Sequence, residues 1–245
     1  MTNYKLTLCY DGTRYDGWQR QGNTQNTIQA ALENALTDVL GAPVEAAASG
    51  RTDAGVHALE QVVSFRAETD MSADEILCKL RQRLPSDIGA LSLEEAQPRF
   101  HARLSCAGKT YVYRIWNSDT PCVFERKYVY ILPDRLDTDA MRRAAHGLCG
   151  TNDYASFCSA KRMKHSTVRT VDGIGLQRMG DELRLTFSGD GFLYNMVRIM
   201  TGTLIEVGLG KLTPEDMAGI ISARDRSAAG FTAPAKGLFL HSVRY

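Results

Sequence analysis

One carboxylate, Asp53, lies between two glycines in the string Ser49-Gly50-Arg51-Thr52-Asp53-Ala54-Gly55-Val56-His57-Ala58, with Arg51 two residues before it. The flanks at 44–48 and 59–65 are apolar and strand-like, so the string reads as a loop hung between two strands. Such a loop can hold a side chain out over a cleft, and its glycines let a substrate come close to the backbone. An opposite charge within a few ångströms favours the charged form of a carboxyl group, so Arg51 is expected to keep Asp53 ionised even in a partly dry site. An ionised carboxylate in that position can serve as nucleophile or as base. An ordinary Gly-rich turn with a surface ion pair would account for a match of five residues; this one runs to ten.

Two further stretches carry chemistry. Lys109-Thr110-Tyr111-Val112-Tyr113-Arg114 interleaves basic and aromatic residues at strand spacing, which places Lys109, Tyr111 and Tyr113 on one face. A tyrosine beside cations can stack on a base while the cations hold phosphates. The same pattern also fits half-buried core aromatics. In Phe192-Leu193-Tyr194-Asn195-Met196-Val197-Arg198-Ile199-Met200, an apolar helical stripe runs beside a polar one of Tyr194, Asn195, Arg198 and Thr201. A buried arginine needs a partner, and Asp53 is the obvious candidate. A solvated arginine on the exposed face fits the periodicity equally well. His101, alone after Phe100, reads as a structural hydrogen-bonder rather than a base.

These residues need elements to position them. Period-two alternation predicts an opening strand at 4–10 and, after a polar loop at 11–25, a helix over 27–40 that Asn26 can cap. Strands follow on both sides of the Asp53 loop. A capping box at Ser72 and Glu75 opens a helix that Pro85 stops, and a strand returns at 88–97. The second half predicts strands at 104–116, 128–132, 168–178 and 183–188, helices at 138–148 and 192–207, a short helix from Thr213-Pro214, and a closing strand at 236–244. The fold expected is α+β: two ferredoxin-like (RRM-like) β-α-β-β-α-β halves, 1–101 and 102–245, fused into a mixed, mainly antiparallel sheet with a central cleft.

Composition narrows the partners. A net charge of +1 says little, but residues 99–169 carry thirteen Lys and Arg against six Asp and Glu, enough to present a positive face to phosphates. No run of about 18 apolar residues exists, which argues against a membrane and for a cytoplasmic protein. The six cysteines are scattered, with no C-x-x-C pair, so reduced thiols and no structural metal site are expected. No G-x-G-x-x-G follows a strand and no G-x-x-x-x-G-K-[ST] occurs, which leaves dinucleotide and NTP binding without support.

The string 50–58 resembles the catalytic loop of tRNA pseudouridine synthases of the TruA type. The similarity extends to Tyr10-Asp11-Gly12-Thr13 with Gly17-Trp18-Gln19, to Phe100-His101-Ala102-Arg103, and to 109–114. It continues through Asp153-Tyr154 with Phe157, through 192–198, and through Ala233-Pro234-Ala235 with Gly237-Leu238. The resemblance implies an isomerase that converts uridine to pseudouridine at positions 38, 39 and 40 of the tRNA anticodon arm, acting as a homodimer without a cofactor. It places the catalytic carboxylate on Asp53, a substrate-contacting tyrosine on Tyr111 and an active-site arginine on Arg198; Arg51 joins them as a substrate-binding residue. Departures are small: Cys106 for alanine, Lys109 for arginine and Tyr154 for phenylalanine. Two rivals from other classes are a non-catalytic RNA-binding protein of two RRM-like units and an aspartate-dependent nucleoside hydrolase. The first leaves the Arg51–Asp53 loop unexplained, and the second lacks an evident second carboxylate as general acid.

Overall fold

Alternation makes Thr2–Tyr10 the first strand, β1, with Tyr4, Leu6, Leu8 and Tyr10 buried and Lys5, Thr7 and Cys9 half-buried between them. The computed structural model describes residues 1–160 and 166–245. The chain divides into two compact units, Met1–Ala107 with Phe239–Tyr245, and Gly108–Leu238. The division expected after residue 101 falls after 107 because the 97–107 segment is fastened to the first unit. Asn3 Nδ2 donates to the carbonyls of Gln97 and Phe100, and Ala107 N–H donates to Arg244 O.

The first unit runs β1, α1 (Ile28–Leu40), β2 (Ala47–Ala48), β3 (His57–Ala67), α2 (Ala73–Arg83) and β4 (Ile88–Glu95). Its strands pair antiparallel in the order β4-β1-β3-β2. Helix α1 is capped by Thr27, whose side chain accepts from Ala30 N–H, and not by the expected Asn26, which instead donates to Arg14 O. The capping box of α2 forms as read: Ser72 accepts from Glu75 N–H and Glu75 reaches back to Ser72 N–H.

The second unit runs β5 (Gly108–Trp116), β6 (Tyr130–Ile131), α3 (Thr138–Gly147), β7 (Gly150–Asp153), β8 (Val168–Met179), β9 (Glu182–Gly189), α4 (Met196–Gly208) and α5 (Asp216–Ala223). Strands β5, β9, β8 and β7 pair antiparallel in that order, and β6 joins β5 in parallel. Each unit is therefore α+β on a mainly antiparallel sheet. The final strand, β10 (Leu238–Arg244), pairs parallel with β3 at Phe239–His57 and Leu240–Ala58, so the closing strand belongs with the first half.

Three boundaries differ from the sequence reading for local reasons. Strand β5 begins at 108 rather than 104 because His101 Nδ1 accepts the N–H groups of Arg103 and Leu104 and folds 101–105 into a turn. Helix α4 begins at Met196 rather than Phe192 because Asn195 is left-handed, with φ of 62°. Helix α5 begins at Asp216, whose Oδ2 accepts the N–H and hydroxyl of Thr213 and turns the expected helix start into a separate bend. Strand β7, with the sequence Gly-Thr-Asn-Asp, has no apolar alternation to announce it.

No helix among the described residues is long and apolar enough to cross a membrane. No three His, Cys, Asp or Glu side chains among them gather as a metal site, and none of the six cysteines forms a disulfide.

Candidate active site

The turn bearing Asp53 is built on the buried polar side chains of Ser49, Gln61, Tyr10 and Thr52, which bond to one another and to its backbone. Ser49 Oγ donates to Gln61 Oε1 at 2.6 Å, Gln61 Nε2 donates to Gly50 O at 2.8 Å, and the Tyr10 and Thr52 hydroxyls share a 2.8 Å bond. Ser49 and Gln61 are fully buried, and a buried polar group without a bond would cost about 1–3 kcal/mol, so the network selects one conformation of the turn. Burial pushes the Tyr10 phenol up to about 12, against the pull of its bonds to Thr52 and Gln61. Tyr10 is thus a neutral strut at working pH and not a base.

A second segment, 11–18, clamps the same turn from its own backbone. Trp18 N–H donates to Thr52 O at 2.9 Å, and the indole is buried. A Cβ on Gly12 would lie 2.0 Å from Val56 O, and one on Gly17 would lie 2.8 Å from Thr52 O. Gly17 also holds φ of 95°, so only glycine allows this backbone-to-backbone approach. Helix α1 fixes the clamp in turn. Gln29 Oε1 accepts Arg20 N–H and Gln19 Nε2, while Glu33 receives Gln29 Nε2, Ala46 N–H and Arg20.

Asp53 is half-buried at the tip of the turn, and Arg51 is exposed. With Thr52 turned inward to Tyr10, Arg51 is left on the solvent side.

The second unit holds the other two residues singled out in the sequence. Tyr111, on β5, is 8% exposed and meets the Phe192 ring edge-on at 5.3 Å, an aromatic pair at the rim of the core. Arg198, on α4, is half-buried. Its Nε donates to Ala233 O at 2.7 Å, its Nη1 donates to Asn195 Oδ1 at 2.8 Å, and its own carbonyl accepts Ala233 N–H. A solvated arginine does not describe it; a guanidinium held in a fixed direction does. Next along the same loop, Pro234 O accepts the Tyr113 hydroxyl at 2.7 Å. Burial pushes that phenol far up, with the Arg198 charge opposing. Tyr113 is a core residue, as the alternative reading of β5 had it.

Within the basic stretch 99–169, Arg99, Arg103, Arg126, Lys127, Arg135 and Arg143 are exposed, while Arg114 is tied to Glu182 and Glu125. Lys161, Arg162 and Lys164 lie outside the described residues. His101 accepts two backbone N–H groups and serves its turn structurally, as expected.

A family model described as tRNA pseudouridine synthase matches residues 8–104 and 144–245. The chain belongs to the tRNA pseudouridine synthase family. It is 44% identical over 245 residues to the tRNA pseudouridine synthase A of Bacillus sp. (strain KSM-64), with both chains covered in full. It is 44% identical over 245 residues to that of Brevibacillus brevis, again covering 100% of each. To the tRNA pseudouridine synthase A 2 of Clostridium tetani it is 42% identical over 244 residues, covering 99% of this chain and 98% of the relative. A chain in the crystal structure of the archaeal box H/ACA sRNP Nop10-Cbf5 complex matches with a TM-score of 0.35 and 13% identity, over 83% of this chain and 42% of that one. A likeness that low carries no structural argument. Family membership removes the non-catalytic RNA-binding reading and the hydrolase reading: as a pseudouridine synthase, the chain is an isomerase that converts uridine to pseudouridine.

For this synthase, sequence reasoning missed the parts that aim the side chains rather than the side chains themselves. Tyr10, Gln61 and Thr52 looked like strand and loop residues, and only their burial reveals a network. Asn195 lay on the polar stripe beside Arg198 three residues on, a spacing that could have suggested the bond between them.

Proposed function

We propose that this chain binds tRNA at its anticodon arm and isomerises uridine to pseudouridine at positions 38, 39 and 40. The observation that carries the reading is 44% identity, over the whole chain, to an enzyme named tRNA pseudouridine synthase A. The Asp53 turn and its clamp support it from the chemistry. In this reaction the N1–C1′ bond breaks, the freed uracil turns, and C5 bonds to C1′; C5 gives up a proton and N1 gains one. Substrate and product are isomers, so no electrons and no group enter or leave, and the reaction calls for no cofactor.

Asp53 is the catalytic residue. Attack on C1′, attack on the base and removal of a sugar proton each require the carboxylate ionised and held still. A target uridine must leave the helical stack to be reached, and the aromatic pair Tyr111–Phe192 is suited to receive it. Arg198, locked by Asn195 and Ala233, offers a fixed cation as counter-charge for the reacting carboxylate. Arg51, exposed beside Asp53, offers a mobile cation to the RNA. The exposed arginines and lysines of the 99–169 stretch are proposed to meet tRNA phosphates, which position the RNA without reading its sequence. The protein acts in the cytoplasm as a homodimer in this reading, as its resemblance to TruA-type synthases implies.

The test is to incubate the protein with unmodified tRNA and map pseudouridine by chemical labelling. Pseudouridine at 38–40 without free uracil is the expected result. Modification elsewhere in the tRNA would overturn the anticodon-arm assignment, and release of uracil would return the hydrolase. Light scattering in solution checks the dimer.

A further inference from the structure

His57 follows the Asp53 turn directly as the first residue of β3, and it is 1% exposed. Its ring stacks on Phe239 at 4.6 Å, where β10 pairs with β3. Its Nδ1 lies 3.1 Å from the Gly12 N–H and 3.1 Å from Asp11 Oδ1. One ring nitrogen cannot serve both. As an acceptor it takes the Gly12 N–H with its lone pair; facing Asp11 it would have to carry a proton. Asp11 Oδ1 already receives the N–H and hydroxyl of Thr13, whereas the Gly12 N–H points at Nδ1, so the bond that ties His57 to the 11–18 segment is the one in which Nδ1 accepts. Gly12 is then fixed twice: its N–H by His57, and its Cα against Val56 O, where no Cβ would fit.

We propose that His57 is a positioning residue for Asp53: through Nδ1 it holds the 11–18 segment against the 52–56 turn and so sets the direction of the carboxylate. The inference rests on Asp53 being the catalytic residue, and it assigns His57 no contact with substrate. A catalytic carboxylate displaced by about 1 Å can cost on the order of 100-fold in rate, whereas RNA affinity rests on phosphate contacts elsewhere. The signature is therefore a loss in kcat with tRNA affinity kept.

The experiment compares His57→Asn, His57→Gln and His57→Leu in the full chain. Single-turnover rate, tRNA Kd, thermal midpoint and hydrogen exchange of the peptide around Gly12 are measured for each. An Asn carbonyl oxygen sits near where Nδ1 was and can accept the Gly12 N–H; Gln reaches past it and Leu accepts nothing. His57→Asn is expected to stay within about 5-fold of the parent rate and to keep exchange protection at Gly12. His57→Gln and His57→Leu are expected to fall by about 30-fold or more, with tRNA Kd changed less than about 2-fold and protection lost. Equal impairment of all three variants would overturn the proposal in favour of ring packing on Phe239, as would parent-like rates in His57→Leu. Should His57→Leu fail to fold, His57→Gln against His57→Asn decides. Asp53→Asn is run beside them: its activity would refute the catalytic assignment, while the exchange data would still report on the Gly12 bond.

Discussion

Asn195 holds Arg198: Nη1 donates to Oδ1 at 2.8 Å across the first turn of α4, from a residue whose φ is 62°. Asparagine tolerates that left-handed conformation better than most residues, and its amide makes no capping bond of its own to the helix. Two demands thus meet at one position, backbone conformation and guanidinium orientation, and they can be separated. Asn195→Gly should keep stability but lose about 10-fold in kcat, since a bond to a charged group is worth about 1.5–3 kcal/mol. Asn195→Ala should lose the same activity and in addition about 1 kcal/mol of stability from strain. Thermal denaturation beside single-turnover kinetics reads the two effects apart.

Asp53→Asn should abolish turnover while tRNA still binds, because the amide is isosteric but is neither nucleophile nor base. Binding by this variant should weaken steeply with added salt, as exposed cations displace counterions from the RNA backbone. Filter binding across a salt series together with pseudouridine mapping checks both. A flat salt response would count against the role given to the 99–169 stretch.

Arg198→Ala tests the counter-charge assignment through its pH profile. Removing a cation that favours the charged carboxylate raises the carboxylate pKa, so the acid limb of activity should move to higher pH. Activity should fall severely across the profile. Arg198→Lys should recover part of the rate, since charge survives although the planar fork that spans Ala233 O and Asn195 Oδ1 does not. An unmoved acid limb in a folded Arg198→Ala protein would leave Arg198 an orienting residue only.

Glu182 gives a stability prediction away from the chemistry. Burial alone would push its carboxyl up, but hydrogen bonds and charge from Arg114 and Arg184 outweigh it, and the net direction is below the usual 4.5. A depressed folded-state pKa contributes stability that is fully present above the unfolded value and is lost as pH falls through the folded one. The parent should therefore lose stability on acidification below about 4.5, and Glu182→Gln should show a flatter acid limb. At neutral pH that variant should be less stable by about 1–2 kcal/mol, discounted because Arg184 is partly exposed. Denaturant titrations at neutral and acidic pH check this.

The amino-acid sequence by itself determined the residue types and the strong local signals. The period-two run of β1, the capping box of α2 and the glycine-flanked Asp53 turn depend on neighbours within a few positions, and they appear as read. Motif content likewise sufficed for the family, because ten consecutive residues around Asp53 carry far more information than periodicity does. Tertiary structure alone decided what each polar side chain faces. Thr52, between Arg51 and Asp53, is drawn inward to Tyr10, 42 positions earlier, and Arg51 is left exposed. His57 and Gln61 look like ordinary strand residues until burial forces each to find a partner, Gly12 for one and Ser49 for the other. The return of β10 to the first unit was hidden for the same physical reason. It is fixed by a pairing distant in sequence, and a hydrogen bond or a close backbone approach leaves no periodic trace in the chain that makes it.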